Sequence, residues 1–385
     1  MSSTIASPTI QWRPLLAIIA SISAVGLSLG LTIPLVSLSL EQRGVDSTLI
    51  GVMASMPAVG ILLFSPLVPA LVNRLGARLA LLGAVVVGAA SVFSLTLFDH
   101  YIVWLLARAV MGAADALLFT VSETWINHIA HERNRGRLVA LYITVLSVCF
   151  ALGPGLIALV GSQGALPFVL SGMIFCSAAL PLLWADDGLR METESAGFSV
   201  LGFFRVAPAV SAAVLLFSFL DGSGLSLLPL FGLRHGHDEA TAALMISVML
   251  GGNILLQYPL GWLADRFSRD RLLFACGLGF TATALLLPLV VSSVLLWPLL
   301  VLLGISAGGV YTLALIMVGQ RFHGVDLVTA NAAFGVLWGL GSLFGPLCAG
   351  LGMAALDPDG LPLTWAALGI IFLVLLWRRR HDHKG

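Results

Sequence analysis

Arg108, Asp115, Glu123 and Asp221 each stand inside a long apolar stretch of the chain. A charged side chain at the middle of a membrane-spanning helix costs a few kcal/mol even on insertion scales, so each of these groups needs a partner or water. Arg108 and Asp115 are seven residues apart and share one helix face. At about 1.5 Å per residue they stand about 10 Å apart along the axis, too far to pair directly. Asp115 and Asp221 fall near the middle of their stretches, Arg108 towards one end and Glu123 towards the other. Gly222 and Gly224, beside Asp221, permit close packing or local unwinding. A carboxyl held at that depth is a group that takes up a proton or binds a cation. The plainer alternative is a carboxyl hydrogen-bonded between packed helices, and for Arg108 a guanidinium bonded to backbone carbonyls. Asn253, Gln257, Tyr258, Tyr311 and Trp338 occur at comparable depth, where they either line a cavity or act as polar glue between helices.

The elements that must position these groups follow from composition. With 59% hydrophobic and 10% charged residues, the chain is far more apolar than a soluble protein at about 25% charged. It reads as an all-α integral membrane protein. Net charge is zero and the single lysine is Lys384, so no basic face suggests nucleic acid. Cys149, Cys176, Cys276 and Cys348 are dispersed among apolar stretches with no Cys-x-x-Cys spacing, and read as small core residues. The apolar run from Pro14 to Leu40 exceeds a signal peptide's core of about 7 to 15 residues and is expected to be a retained first span. Further spans are expected at Ser47–Val72, Arg78–Leu97, Tyr101–Ala130, Arg137–Val160 and Ala165–Trp184. The second half offers Pro208–Leu233, Glu239–Ala264, Leu272–Val291, Val294–Phe322, Asp326–Leu356 and Leu363–Trp377, for twelve in all.

Arginine sets the orientation. Arg74, Arg78, Arg133, Arg135, Arg137, Arg190, Arg205, Arg266, Arg269, Arg271, Arg321 and the tail Arg378 to Arg380 all fall at one side of this pattern, against Arg43 and Arg234 at the other. Basic residues accumulate in short cytoplasmic loops, so both termini are expected in the cytoplasm. The polar stretch Asp186–Gly197 divides the chain nearly in half, leaving residues 1–185 and 208–385 as two six-helix bundles joined by a linker at 186–207. Within that linker, Phe198–Val206 suits a short interfacial segment. The halves repeat weakly: Pro34 against Pro229, Asn73-Arg74-Leu75-Gly76 against Asp265-Arg266-Phe267-Ser268, and Gly153-Pro154 against Gly345-Pro346. Paired halves with glycine- and proline-interrupted spans suit a transporter with its site near mid-membrane between them.

Several motifs carry a family resemblance over essentially the whole chain. Gly261-x-Leu263-Ala264-Asp265-Arg266-x-x-Arg269-x-Arg271 resembles the loop signature of the major facilitator superfamily, with Ser268 where a second glycine is usual. Arg108-Ala109-Val110-Met111-Gly112 resembles that superfamily's buried-arginine motif, associated with proton coupling. Gly341-x-x-x-Gly345-Pro346-x-x-x-Gly350 resembles the glycine-proline motif of exporters, but in span 11 rather than span 5, where Gly153-Pro154 gives a shorter version. The first-half loop departs from the signature, with Pro69 at the glycine position and Asn73 for the aspartate. Glu123-Thr-Trp-Ile-Asn127, Arg135-Gly-Arg137 and Ala140-Leu-Tyr142 resemble the YcaD-like branch of the superfamily.

The resemblance implies a secondary transporter of the bacterial inner membrane, monomeric in the bilayer, moving a small organic solute by alternating access. Proton-coupled export is the expected direction, because three acidic groups face one arginine within the spans. Proton-linked uptake of a metabolite is the alternative, and a non-transporting receptor or scaffold on the same fold is the alternative from another class. Asp115, Asp221, Arg108, Asn253, Tyr311 and Trp338 are the expected substrate or proton site. Glu123, Arg137, Gly261, Asp265, Arg266 and Arg269 are expected to form a cytoplasmic gate in which Asp265 faces the helix start near Arg137 and its dipole. His235 and His237, beside Asp238 and Glu239, are read as a solvated turn rather than a metal site. No phosphate loop, nucleotide fingerprint or catalytic triad is visible, so neither an enzyme nor a bound cofactor is expected.

Overall fold

The computed structural model describes residues 12–129, 135–183, 200–321 and 325–382. Among them the chain is helical throughout, with no strand. Span 1 is Trp12–Gln42, and span 2 runs from Ser47 to Leu75 through a 3-10 turn at Ser65–Leu67. Spans 3, 4 and 5 are Ala77–Leu97, Tyr101–Ile129 and Arg135–Val160. Span 6 is broken into Leu166–Ser177 and Ala179–Leu182, and the expected interfacial segment forms a short helix at Val200–Val206. The second half holds Pro208–Arg234, Glu239–Arg266, Arg269–Val290, Leu296–Arg321, Val325–Ala355 and Gly360–Asp382 as spans 7 to 12. Ten of these stretches are long and apolar enough to cross a membrane, and Leu166–Leu182 and Glu239–Leu255 are shorter apolar helices that complete the set. The polar linker falls at residues outside the described ones, as does the loop holding Arg133.

Antiparallel connections put Trp12 and Asp382 at one face of the molecule, here the termini face, and Gln42, Arg234 and Glu239 at the distal face. The local reasons for the breaks are visible in the residues. Pro66 and Pro69 lack the amide that a continuous ladder needs, so span 2 tightens into the 3-10 turn between them. Asp46 and Asp238 cap spans 2 and 8, accepting from the Thr48 and Thr241 amides at 2.8 and 3.2 Å. Hydrogen bonds from Thr48 and Thr241 hold both carboxyls below their ordinary range. Both caps therefore act fully above that range, and their contribution fades as the pH falls through the lowered values.

Between helices, lipid supplies no hydrophobic drive, and close approach of backbones takes its place. Span 1 meets span 5 where a Cβ built on Gly153 would lie 2.4 Å from the Gly30 carbonyl carbon. Span 2 meets span 4 through Gly60 and Gly112, and span 7 meets span 11 through Gly341 and Gly345. The two halves touch through span 2 against span 11, where Gly51 sits on the Pro346 carbonyl and Gly350 on the Ser47 carbonyl. Span 5 touches span 8, with the Ser247 hydroxyl donating to the Ala151 carbonyl at 2.8 Å. One buried apolar cluster belongs to spans 1 to 6 alone, and a second joins the other half to the distal ends of the first.

The cysteines differ from the expectation. Cys176 and Cys348 are exposed, and Cys149 and Cys276 half-buried, so none is a fully enclosed core residue. A thiol is apolar enough to face hydrocarbon, which is why an apolar sequence context did not reveal which way it points.

The glycine contacts can be tested directly. Gly153→Val forces a side chain onto the backbone of Gly30 and Leu31, so overpacking is expected to destabilise by about 1–3 kcal/mol. Gly83→Ala, with nothing within 4 Å of the added Cβ, should leave thermal unfolding in detergent unchanged. Equal melting temperatures for both variants and the parent would refute the close-packing account.

Candidate functional site

Asp221 lies at the middle of span 7, and the residues just after it in the chain are small. Gly222 brings span 7 onto Ser342 of span 11, and Gly224 packs against Met249 and Trp365. Ser223, turned into the bundle, returns its hydroxyl to the Phe219 carbonyl at 2.6 Å and accepts the Trp365 indole N–H at 2.8 Å. With those faces filled, the Asp221 side chain is left half-buried, and it has no hydrogen-bond partner among the described residues. Its charge acts on the Tyr311 hydroxyl.

Tyr311 and Trp338 meet at a third ring, Phe217, that sequence reasoning did not single out. Phe217 stacks on Tyr311 with centroids 4.8 Å apart and planes 25° apart, and Trp338 lies 5.4 Å from each ring. Phe334 extends the group at 6.3 Å from Tyr311. Spans 7, 10 and 11 thus converge on one aromatic wall. From the opposite bundle Glu123, exposed at its position in span 4, acts on the hydroxyls of both Tyr142 and Tyr311.

Asp115 and Arg108 are placed elsewhere. They are 4% and 2% exposed, enclosed within the first bundle. Among the described residues, the Asp115 Oδ1 and Arg108 Nε atoms have no hydrogen-bond partner, and the Arg108 Nη1 reaches the Met111 sulfur at 3.7 Å. Each feels the other's charge without forming an ion pair, consistent with their spacing. Asn253 packs against Gly308 and Gly304 of span 10, where it acts as polar packing within the second bundle. Arg266 lies over the Trp262 ring at 3.9 Å, and Arg269 donates to Gln320. The side chains of Arg137 and Asp265, and the Gly261 position, lie outside the described residues, as do those of Gln257 and Tyr258.

The distal face holds a feature that sequence reasoning missed. Arg234, the last residue of span 7, makes a two-pronged contact with Glu41 at 2.9 and 3.0 Å and donates to Ser47 at 2.7 Å, both across the bundle interface. It also reaches Asp357 of its own bundle at 2.5 Å. Glu239, the first residue of span 8, accepts from Gln42 at 2.7 Å and from Ser162 at 2.5 Å. The two anchors straddle a single turn, and beside Arg234 lies a polar cleft of ≈ 330 Å³. His235 and His237 are tied rather than merely solvated: His235 meets Asp359 at 3.1 Å, and His237 meets the Val291 carbonyl at 2.8 Å. These ties hold the turn that carries both anchors. The one available signal was that Arg234 is an isolated arginine on an otherwise arginine-poor side.

Comparison with known proteins agrees with this architecture. The family model of the Major Facilitator Superfamily matches residues 16–252 and 213–385. The MFS-type transporter YfkF of Bacillus subtilis (strain 168) is 26% identical over 355 residues, 90% of each chain. YcaD of Escherichia coli O6:K15:H31 is 27% identical over 375 residues, covering 95% of this chain and 96% of that relative. Among solved structures, the nucleoside transporter NupG is similar with a TM-score of 0.77 at 13% identity, covering 98% of this chain and 100% of that one. A D-xylose-proton symporter is similar with a TM-score of 0.75 at 15% identity, covering 96% and 98%.

The clamp yields a measurable expectation. Arg234→Ala removes charge-assisted contacts that only the closed distal face makes, so it is expected to favour the open distal face by roughly 1–2 kcal/mol, a five- to thirty-fold change in population. Distances between spin labels at positions 44 and 236 should lengthen in the variant. An unchanged distribution would reduce Arg234 to a surface ion pair.

Proposed function

The chain belongs to the Major Facilitator Superfamily, and from that premise we propose that this membrane transporter, which is not an enzyme, exports a small organic solute by alternating access in exchange for protons. The observation that carries the reading is a distal clamp of side-chain contacts between the bundles, Arg234 with Glu41 and Ser47 and Glu239 with Gln42 and Ser162, together with a half-buried mid-span carboxyl, Asp221, on the helix face that carries the aromatic wall. A site that must open to alternate sides needs contacts that water can replace, and charged contacts at a surface meet that need better than buried packing does.

The arginine bias supports placing the termini face in the cytoplasm of a bacterial inner membrane. On that placement the clamp closes the outer side, and the site at Asp221 is reached from the cytoplasm. Asp221 takes the role of the exchanged proton site, because it is the mid-span carboxyl that is half-buried rather than enclosed. Asp115 and Arg108 act behind it. Their opposite charges stabilise one another inside the first bundle, and a change in either alters how readily that bundle tilts. The two moving halves are residues 1–185 and 208–385, joined by the linker at 186–207. Solute and protons are the partners, with the lipid bilayer as solvent, and a monomer suffices because the site is built from one chain.

Everted vesicles, acidified inside and followed with a pH-sensitive dye, test the coupling. Solutes that raise the melting temperature of the purified protein are expected to discharge the gradient in vesicles carrying the parent chain. Asp221→Asn should abolish that discharge while leaving folded protein, and Arg108→Ala should do the same. A triple loss of Arg108, Asp115 and Asp221 that left the discharge intact would exclude proton exchange through these groups.

A further inference from the structure

We propose that the aromatic wall of Phe217, Tyr311 and Trp338, together with Asp221, binds an organic cation with a ring-bearing apolar body. The inference deepens the transporter reading by naming the class of its cargo, and the site itself can be tested without any transport.

Four observations converge. Phe217 and Asp221 are four residues apart in span 7, so the carboxylate stands on the same helix face as the ring, about 6 Å further along. Phe217 is buried and backs the wall, whereas Tyr311 and Trp338 are half-buried and keep part of each ring open. The ring centroids lie 4.8 to 5.4 Å apart on three different helices, so they form a surface rather than a stack within one helix. Asp221 is half-buried and has no hydrogen-bond partner among the described residues.

Charge decides the sign of the ligand. The charged group on the helix face that carries the wall is Asp221, four residues on from Phe217. Arg108 is enclosed with Asp115 in the first bundle, while Arg266 and Arg269 are engaged with Trp262 and Gln320. An anion entering here would meet the Asp221 carboxylate, and a neutral solute would leave it without a partner whenever it is ionised. A cation satisfies the carboxylate and places its charge against ring faces, which attract it. A bare metal ion fits poorly, because no group of three His, Cys, Asp or Glu side chains able to hold one occurs among the described residues, and hard cations need about six oxygen ligands. A ring-bearing body uses the wall for packing as well as for charge.

Tetraphenylphosphonium and tetraphenylborate, alike in shape and opposite in charge, probe the site in the full-length protein in detergent. Thermal stabilisation and tryptophan fluorescence report binding. The phosphonium is expected to stabilise the protein and to perturb its fluorescence, and the borate to do neither. Asp221→Asn should remove phosphonium binding, while Trp338→Leu and Tyr311→Leu should each weaken it by roughly two- to thirty-fold, the range for one cation–ring contact. Melting of each variant without ligand establishes that it is folded, and the two ring variants keep the test valid if Asp221→Asn is not. Equal binding of both ions, or phosphonium affinity unchanged in Asp221→Asn or in both ring variants, overturns the proposal. A chain that ignores phosphonium but discharges a proton gradient with another solute loses this site and keeps its transport function. One that binds phosphonium at Asp221 without proton exchange keeps the site and loses the coupling.

Discussion

A backbone amide in hydrocarbon has no water to bond, and every other feature of this chain is arranged around that constraint. Only continuous helices satisfy it across a bilayer with one chain segment at a time, so the described residues are helical from end to end apart from short turns. The same solvent removes the usual reason for helices to associate, since a lipid tail is as apolar as a leucine. Contact must come from fit. Gly30 against Gly153, Gly60 against Ala109, and Gly345 against Phe219 let backbones approach where any side chain would collide. Serine and threonine hydroxyls return to carbonyls one turn back, as Ser218 does to Val214 at 2.8 Å, which keeps polar groups satisfied without external partners.

The contact between the halves uses a different mixture. Gly51 and Gly350 give span 2 and span 11 the same close fit seen within a bundle. Beyond them, at the distal face, the joining groups are Arg234, Glu41, Ser47, Gln42, Glu239 and Ser162. Arg234 and Glu41 side chains are both 20% exposed, so water can take over their hydrogen bonds if the halves separate. A glycine interface is fixed by shape, whereas a water-exchangeable clamp is reversible at modest cost. The contact between the halves therefore combines a shape-fixed glycine fit with water-exchangeable side chains.

Ionisable groups divide along the same line. Arg108 and Asp115 are enclosed, each with a polar atom that has no partner among the described residues, a costly arrangement tolerated because their charges are opposite and near enough to compensate partly. Asp221, in the other half, is half-buried and has no hydrogen-bond partner among the described residues. The first two form a fixed electrostatic element of a single half, and Asp221 stands apart from them on the helix face that carries Phe217.

From residues alone the class, the number of crossings and the likeness to one superfamily were legible, because crossing a bilayer takes about 20 consecutive apolar residues and charge is tolerated there at few positions. The depth of Asp115 and Asp221 was legible for the same reason: depth is a count along the chain. Rotation about the helix axis was not. In a soluble protein a polar face marks the outside of a helix, but here lipid-facing and bundle-facing sides are both apolar, so nothing in the spacing separates Asp115, turned into its bundle, from Asp221, left half-buried. Phe217 went unnoticed on the same grounds, as one aromatic residue in an apolar run. The Arg234 clamp joins residues 193 positions apart, and a loop arginine carries no local mark of a distant carboxylate. Sequence determined which residues lie in the membrane and how deep; only the packing of helices against one another decided which of them face each other.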